Sequence, residues 1–127
     1  MCQSGIKFGR LKKRSDFIAL AQSGNKWVTP ALVIQMHKRP EDENQIKQNR
    51  IGYTASRKVG GAVLRNRAKR RMRALMASLP QDIAMHIPER TDLVLIARHK
   101  ILTRDFAQLQ KDLLFSLRGL KVIPHEN

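Results

Sequence analysis

Lys58-Val59-Gly60-Gly61-Ala62-Val63-Leu64-Arg65-Asn66-Arg67-Ala68-Lys69-Arg70-Arg71-Met72-Arg73 is the stretch whose reading decides the fold. Two glycines mark a turn, and good helix formers follow them. The helix should start near Gly61 or Ala62 and end by Leu79, because Pro80 stops it. Placing residues about 100° apart puts Leu64, Ala68, Met72, Leu75, Met76 and Leu79 on one stripe. Lys69, Arg73, Asn66, Arg70 and Arg67 fill the opposite arc, with Arg65 and Arg71 at its edges. One side should therefore dock on a core and the other carry charge. Counting Arg57, the turn and helix hold eight cations, and no acidic residue lies between Glu43 and Asp82. A merely solvated helix face normally interleaves Glu or Asp in i,i+4 pairs, and like charges at that spacing repel. Cations left unpaired on one rigid element suit a nucleic-acid polyanion.

Outward from this helix, the chain reads as alternating strands and helices. Residues 1–14 are polar and basic and read as an arm. A helix should run from about Ser15 to Ser23, with Ser15 as cap, Asp16 at the positive end and Gly24 as the stop. Trp27 to Lys38 reads as a strand with an edge or irregular start at Pro30. Leu32, Ile34 and Met36 point to a core, and Val33, Gln35 and His37 to a half-exposed face. Pro40 to Asn49 is a polar, partly acidic loop. Arg50 to Arg57 is a second strand, with Ile51, Tyr53 and Ala55 alternating with Gly52, Thr54 and Ser56. If the two strands pair, the small polar set lines the same open face as Val33 and Gln35. Asp92 to Arg98 holds a nearly continuous apolar run, as a central strand would. A last helix is predicted from Thr103 to Gly119, with Phe106, Leu109, Leu113 and Leu117 as its stripe. The reading is one α/β domain over residues 15–120, with a tail at 121–127.

Composition narrows the function. The chain has 127 residues, a formal net charge of +15, 42% hydrophobic and 28% charged residues. Such a balance favours nucleic acid, an anionic membrane or an acidic protein surface. No apolar run approaches the roughly 20 residues needed to span a bilayer, and no apolar segment after Met1 reads as a signal peptide. Cys2 is the only cysteine, so no internal disulfide can form, which fits a cytoplasmic setting. The four histidines lack metal-ligand spacing, and no Walker loop, nucleophile elbow or carboxylate pair is present. The expectation is no catalytic residue and no metal ligand in the protein itself. Gly60-Gly61 before a helix is a weak phosphate-cradle signal. Asn66 either bonds a base edge or phosphate, or holds the local backbone. Phe17 either belongs to the core or stacks a base.

Four blocks in order resemble the bacterial ribonuclease P protein family. They are Leu11-Lys12-Lys13-Arg14-Ser15-Asp16-Phe17, Arg50 to Gly60, Ala62-Val63-Leu64-Arg65-Asn66-Arg67-Ala68-Lys69-Arg70, and Asp92 to Arg98. The resemblance implies an α+β sandwich like domain 2 of ribosomal protein S5, of order α-β-β-α-β-α with a possible extra short strand. It also implies a left-handed β-α-β crossover, against the roughly 98% preference for right-handed ones. It implies removal of the 5′ leader from precursor tRNA, with hydrolysis by a catalytic RNA subunit, magnesium held mainly by that RNA, and an inactive protein alone. Carried over, Arg57, Lys58, Arg65, Asn66, Arg67, Lys69, Arg70 and Arg73 face the catalytic RNA. Lys13, Arg14, Phe17, Val33, Gln35, Thr54 and Ser56 line a cleft for the leader. The implied assembly is a 1:1 ribonucleoprotein with one protein monomer. Many relatives carry aromatics where this chain has Ala21 and Gln35, so its cleft should lean more on polar groups and cations. The competing reading is an rRNA-binding ribosomal or assembly protein of similar fold. A basic membrane-active or heparin-binding peptide is disfavoured by the core patterns.

Overall fold

The computed structural model describes residues 8–11, 13–22, 25–40 and 47–122. The elements are β1 (Gly9–Arg10), α1 (Arg14–Gln22), β2 (Lys26–Val28), β3 (Leu32–Lys38), β4 (Arg50–Thr54), α2 (Ala62–Ala77), the short α3 (Gln81–Ala84), β5 (Thr91–Ala97), a 3₁₀ turn (His99–Leu102) and α4 (Phe106–Gly119). The strands form a mixed sheet of order β1-β4-β5-β3-β2. The Gly24 stop and most of the 40–49 loop lie outside the described residues.

The alternation of β3 is as its sequence dictates: Leu32 and Ile34 are buried, whereas Val33 and Gln35 are half-buried on the other side. Two expectations about this strand are corrected. The predicted strand Trp27 to Lys38 is split into an antiparallel hairpin, with Lys26 opposite Gln35 and Val28 opposite Val33. Pro30 cannot donate to a ladder. Thr29 closes the turn instead: its hydroxyl donates to Leu32 O at 2.7 Å and accepts from the Leu32 N–H at 3.1 Å. The direct pairing of β3 with β4, on which the shared open face was conditional, does not occur between these strands. β5 lies between them, antiparallel to β3 and parallel to β4. Its apolar run on both faces earns the central position, with Leu93, Val94 and Leu95 at most 1% exposed.

The core lies between one sheet face and the helices α2 and α4. Leu32, Ile34, Ile51, Leu93 and Leu95 meet Ala68, Met72 and Leu75 of α2 and Leu109, Leu113 and Leu117 of α4. Each buried leucine or isoleucine contributes about 1.5–3 kcal/mol relative to an exposed one. The opposite face is covered in part by α1, where Leu20 meets Leu11 and Val94, with Phe17 and Ile96 packed alongside. Part of the predicted arm joins the sheet, because Gly9–Arg10 runs parallel to β4 and Leu11 is buried. At the other end, Val122 is buried and donates its N–H to Leu117 O at 2.8 Å. The last helix begins at Phe106 rather than Thr103. Thr103 closes the 3₁₀ turn that precedes it, and Asp105 takes the cap position of the helix.

The crossover from β4 through α2 to β5 is left-handed, against the usual right-handed preference; the orientation of L-residues in β4 gives its hand. With the Ile51 side chain toward the viewer and β4 running upward, the Ile51 carbonyl points right. It accepts the Leu11 N–H at 3.1 Å, so β1 is on the right and β5 on the left. Ile51 faces the α2 side of the sheet, so the connection passes in front while moving left.

Candidate nucleic-acid interface

Helix α2 follows β4 through the connection of residues 55–61. Arg57 to Val59 form a turn, with the Gly60 N–H donating to Arg57 O at 3.1 Å. Gly60 has φ +147°, a conformation that L side chains rarely adopt, and a Cβ there would meet Leu64 Cδ1 at 2.5 Å. Leu64 is therefore bent over the turn and is 38% exposed, which corrects its assignment to the docked stripe. The stripe proper starts one helical turn later, at Ala68, and runs through Met72, Leu75 and Met76 to Leu79, all buried.

On the opposite arc, Arg57, Lys58, Asn66, Arg67, Arg70 and Arg73 are exposed, while Arg65 and Lys69 are half-buried. Among the described residues none of these cations forms an ion pair. Two arginines have partners of other kinds. Arg71 turns back onto the protein and donates to Arg104 O at 2.6 Å, tying α2 to the segment before α4. The Arg73 guanidinium lies 5.6 Å from the centre of the Tyr53 ring. Burial pushes the Tyr53 hydroxyl up to about 12, against a smaller downward pull from the Arg73 charge.

The open sheet face assembles the other predicted set. Sheet register places Val33, Ile96 and Thr54 in one row, and Gln35, Val94 and Gly52 in the next. Val33, Gln35 and Thr54 thus share one sheet face, with β5 between their two strands. Phe17 is half-buried on this side, between the core and the solvent, so both of its readings keep a part. Thr54 is half-buried and Ser56 exposed, its Oγ accepting the Lys58 N–H at 3.3 Å. Lys13 and Arg14 are exposed at the start of α1. Ser56 and Lys58 belong to the segment that joins this face to α2.

The third row, His37, Asp92 and Arg50, holds an ion cluster that was not anticipated. Asp92 is 2% exposed and accepts from Arg39 Nη1, from Arg50 Nε at 3.0 Å and from Arg50 Nη2 at 2.7 Å. Arg50 Nη1 also reaches Asp16 of α1 at 3.3 Å. The hydrogen bond to Asp92, with the Asp92 and Asp16 charges, raises the Arg50 pKa above its ordinary value. A charge inside an apolar strand requires a partner; with 25 Lys and Arg in the chain, sequence could not say which. Ile96 was missed as part of the open face, whereas Gly52 was placed on it by alternation without its contact to Phe17. The continuous apolar run of β5 hides which residue is half-exposed, whereas a glycine inside a strand signals a close approach.

No three His, Cys, Asp or Glu side chains converge as a metal site among the described residues. Asp16 and Asp92 spend their oxygens on arginines. This donor set does not fit a magnesium ion. Nor, among the described residues, is any helix long and apolar enough to cross a membrane.

These features define a class: small mixed α/β proteins with an unneutralised cationic helix on one side of the sheet and a half-open face on the other. The family model of ribonuclease P matches residues 7–121, and the chain belongs to the ribonuclease P protein family. It is 38% identical over 112 residues to the ribonuclease P protein component of Paramagnetospirillum magneticum, covering 88% of this chain and 82% of that one. It is 42% identical over 116 residues to that of Caulobacter vibrioides, covering 91% and 72%. Among solved structures, the Staphylococcus aureus RNase P protein superposes with a TM-score of 0.71 at 29% identity, covering 92% of this chain and 99% of that one. The Thermotoga maritima protein gives 0.64 at 26%, covering 93% and 98%.

Proposed function

We propose that this chain is the protein subunit of a cytoplasmic ribonuclease P, one copy per catalytic RNA. In this reading it assists RNA-catalysed removal of the 5′ leader from precursor tRNA. The observation that carries it is the presence of two distinct surfaces on one small sheet. The outer arc of α2 offers cations with no acidic partner among the described residues, suited to the phosphates of a structured RNA. The face under α1 offers Phe17, Val33, Gln35, Thr54 and Ser56, flanked by Lys13 and Arg14, and suits a single strand whose bases can stack. Magnesium for hydrolysis is held by the RNA subunit in this reading, and the protein alone does not cut.

The test pairs two measurements on Phe17→Ala. In the holoenzyme, affinity for precursor tRNA should fall by up to about 1–3 kcal/mol, the worth of one stacked base. Affinity for mature tRNA, which lacks the leader, should hardly change. Melting of the free protein should move less than the about 3–5 kcal/mol of a fully buried Phe→Ala. Equal loss for both tRNAs would return Phe17 to the core and remove the leader from this face.

A further inference from the structure

We propose that Gly52 is a positioning residue: it is the seat that sets how deeply the Phe17 ring lies on the open face. The inference deepens the leader reading of that face and rests on it. Gly52 is buried in the middle of β4, where glycine weakens a strand. Its backbone does not demand glycine, because the positive-φ glycine among the described residues is Gly60. Space demands it instead. A Cβ at position 52 would lie 2.8 Å from both Cε1 and Cζ of Phe17, closer than real Cβ contacts come, and 3.3 Å from Leu11 Cβ. The edge of the ring thus occupies the volume that any side chain at 52 would fill.

A second fastening acts beside the first. Asp16, the neighbour of Phe17 in α1, accepts from Arg50 Nη1 at 3.3 Å, and Arg50 stands two residues before Gly52 on the same face of β4. The first turn of α1 is therefore held to β4 by an ion pair and by a ring on a glycine. Arg50 limits how far α1 can retreat, and Gly52 fixes how near the ring can come. Gly52 is paired with Val94 of β5, and its neighbour Ile51 with Arg10 of β1, so the strand backbone is held and the ring moves to admit a methyl group. A displaced ring no longer presents its free part at the height where Val33, Ile96 and Thr54 form the floor.

The experiment compares Gly52→Ala, Phe17→Leu and the double variant in the holoenzyme, reading the ratio of affinities for precursor and mature tRNA. Each single variant should lower that ratio by about tenfold, the loss of one stacked base. The double should match Phe17→Leu alone, because Gly52 acts only through the ring. An unchanged ratio in Gly52→Ala, or losses that multiply in the double, overturns the proposal. Fluorine resonances of fluorophenylalanine at Phe8, Phe17, Phe106 and Phe115 supply the second readout. Gly52→Ala should move the Phe17 line and leave the other three; an unmoved Phe17 line overturns the seat. A moved line with an unchanged ratio in both single variants locates the failure in the leader reading and overturns the proposed role with it. If Gly52→Ala alone does not fold, the double should fold, since leucine yields the space. A double that stays unfolded overturns the seat.

Discussion

Replacing Arg67 and Arg70 together by alanine should weaken binding to the RNA subunit in a way that salt reveals. Both side chains are exposed on the outer arc of α2 and have no ion pair among the described residues. The substitution therefore breaks no ion pair among the described residues, and alanine is the best helix former, so stability should stay within about 0.5 kcal/mol. Each cation that neutralises a duplex phosphate contributes about 0.9 to the slope of log K against log salt, and about 0.7 on a single strand. Two lost contacts should flatten the slope by about 1.4–1.8. Arg104→Ala is the control, because its guanidinium is already held by Asp112 at 2.7 Å. The assay is equilibrium binding to the RNA subunit at several salt concentrations, with a circular dichroism melt for each variant. A folded double variant with the wild-type slope would refute the assignment of this arc to phosphates. A slope change as large in Arg104→Ala would show that overall charge, not the arc, is being read.

Three further outcomes follow from the same geometry. Asp92→Ala strips the buried carboxylate from Arg39 and Arg50 and should cost about 3–5 kcal/mol in chemical denaturation; a loss below about 1 kcal/mol would mean that the cluster adds little. Tyr53, the single tyrosine, should ionise near 12 in the folded protein against 10.0 for an ordinary phenol. The folded state thus holds this proton more tightly, so its contribution to stability is intact below pH 10 and is lost as pH rises toward 12. Phenolate absorbance during alkaline titration checks this, and Arg73→Ala should move the midpoint higher; a midpoint at the ordinary value would contradict the burial. Finally, the purified protein freed of RNA by micrococcal nuclease should not cut precursor tRNA; cleavage that survives the treatment would place the chemistry in the protein.

Helix α2 was legible in the sequence because two periodic signals coincide in it, an apolar stripe and a cationic arc. Its first turn misled: Leu64 fits the stripe by angle, but the turn at Gly60 lies beyond the sheet and leaves that side chain half outside. The faces of β3 were legible from alternation alone. The partner of β3 was not, since alternation fixes which side a residue takes and says nothing about which strand lies beside it. The short β2 was hidden because Trp27 and Val28 read as continuous with Leu32, and only the Thr29 hydroxyl bonds show why the chain reverses there. The Asp92 cluster joins residues 39, 50, 92 and 16, a set brought together by topology rather than by any local spacing. In the candidate site the cations of α2 could be named because they lie on one element. Ile96, and the contact of Phe17 with Gly52, could not, because they exist only once β4, β5 and α1 are stacked.

The central claim is that this protein serves a catalytic RNA by holding both it and the leader. The most direct measurement is cleavage of a precursor tRNA by the cognate RNA subunit at low magnesium, with and without the full chain. The RNA alone should be slow under these conditions. Adding the protein should restore leader removal at the mature 5′ end, and the Arg67→Ala, Arg70→Ala double variant should require more protein to do so. Equal cleavage with and without the protein, across magnesium concentrations that leave the RNA folded, would contradict the account.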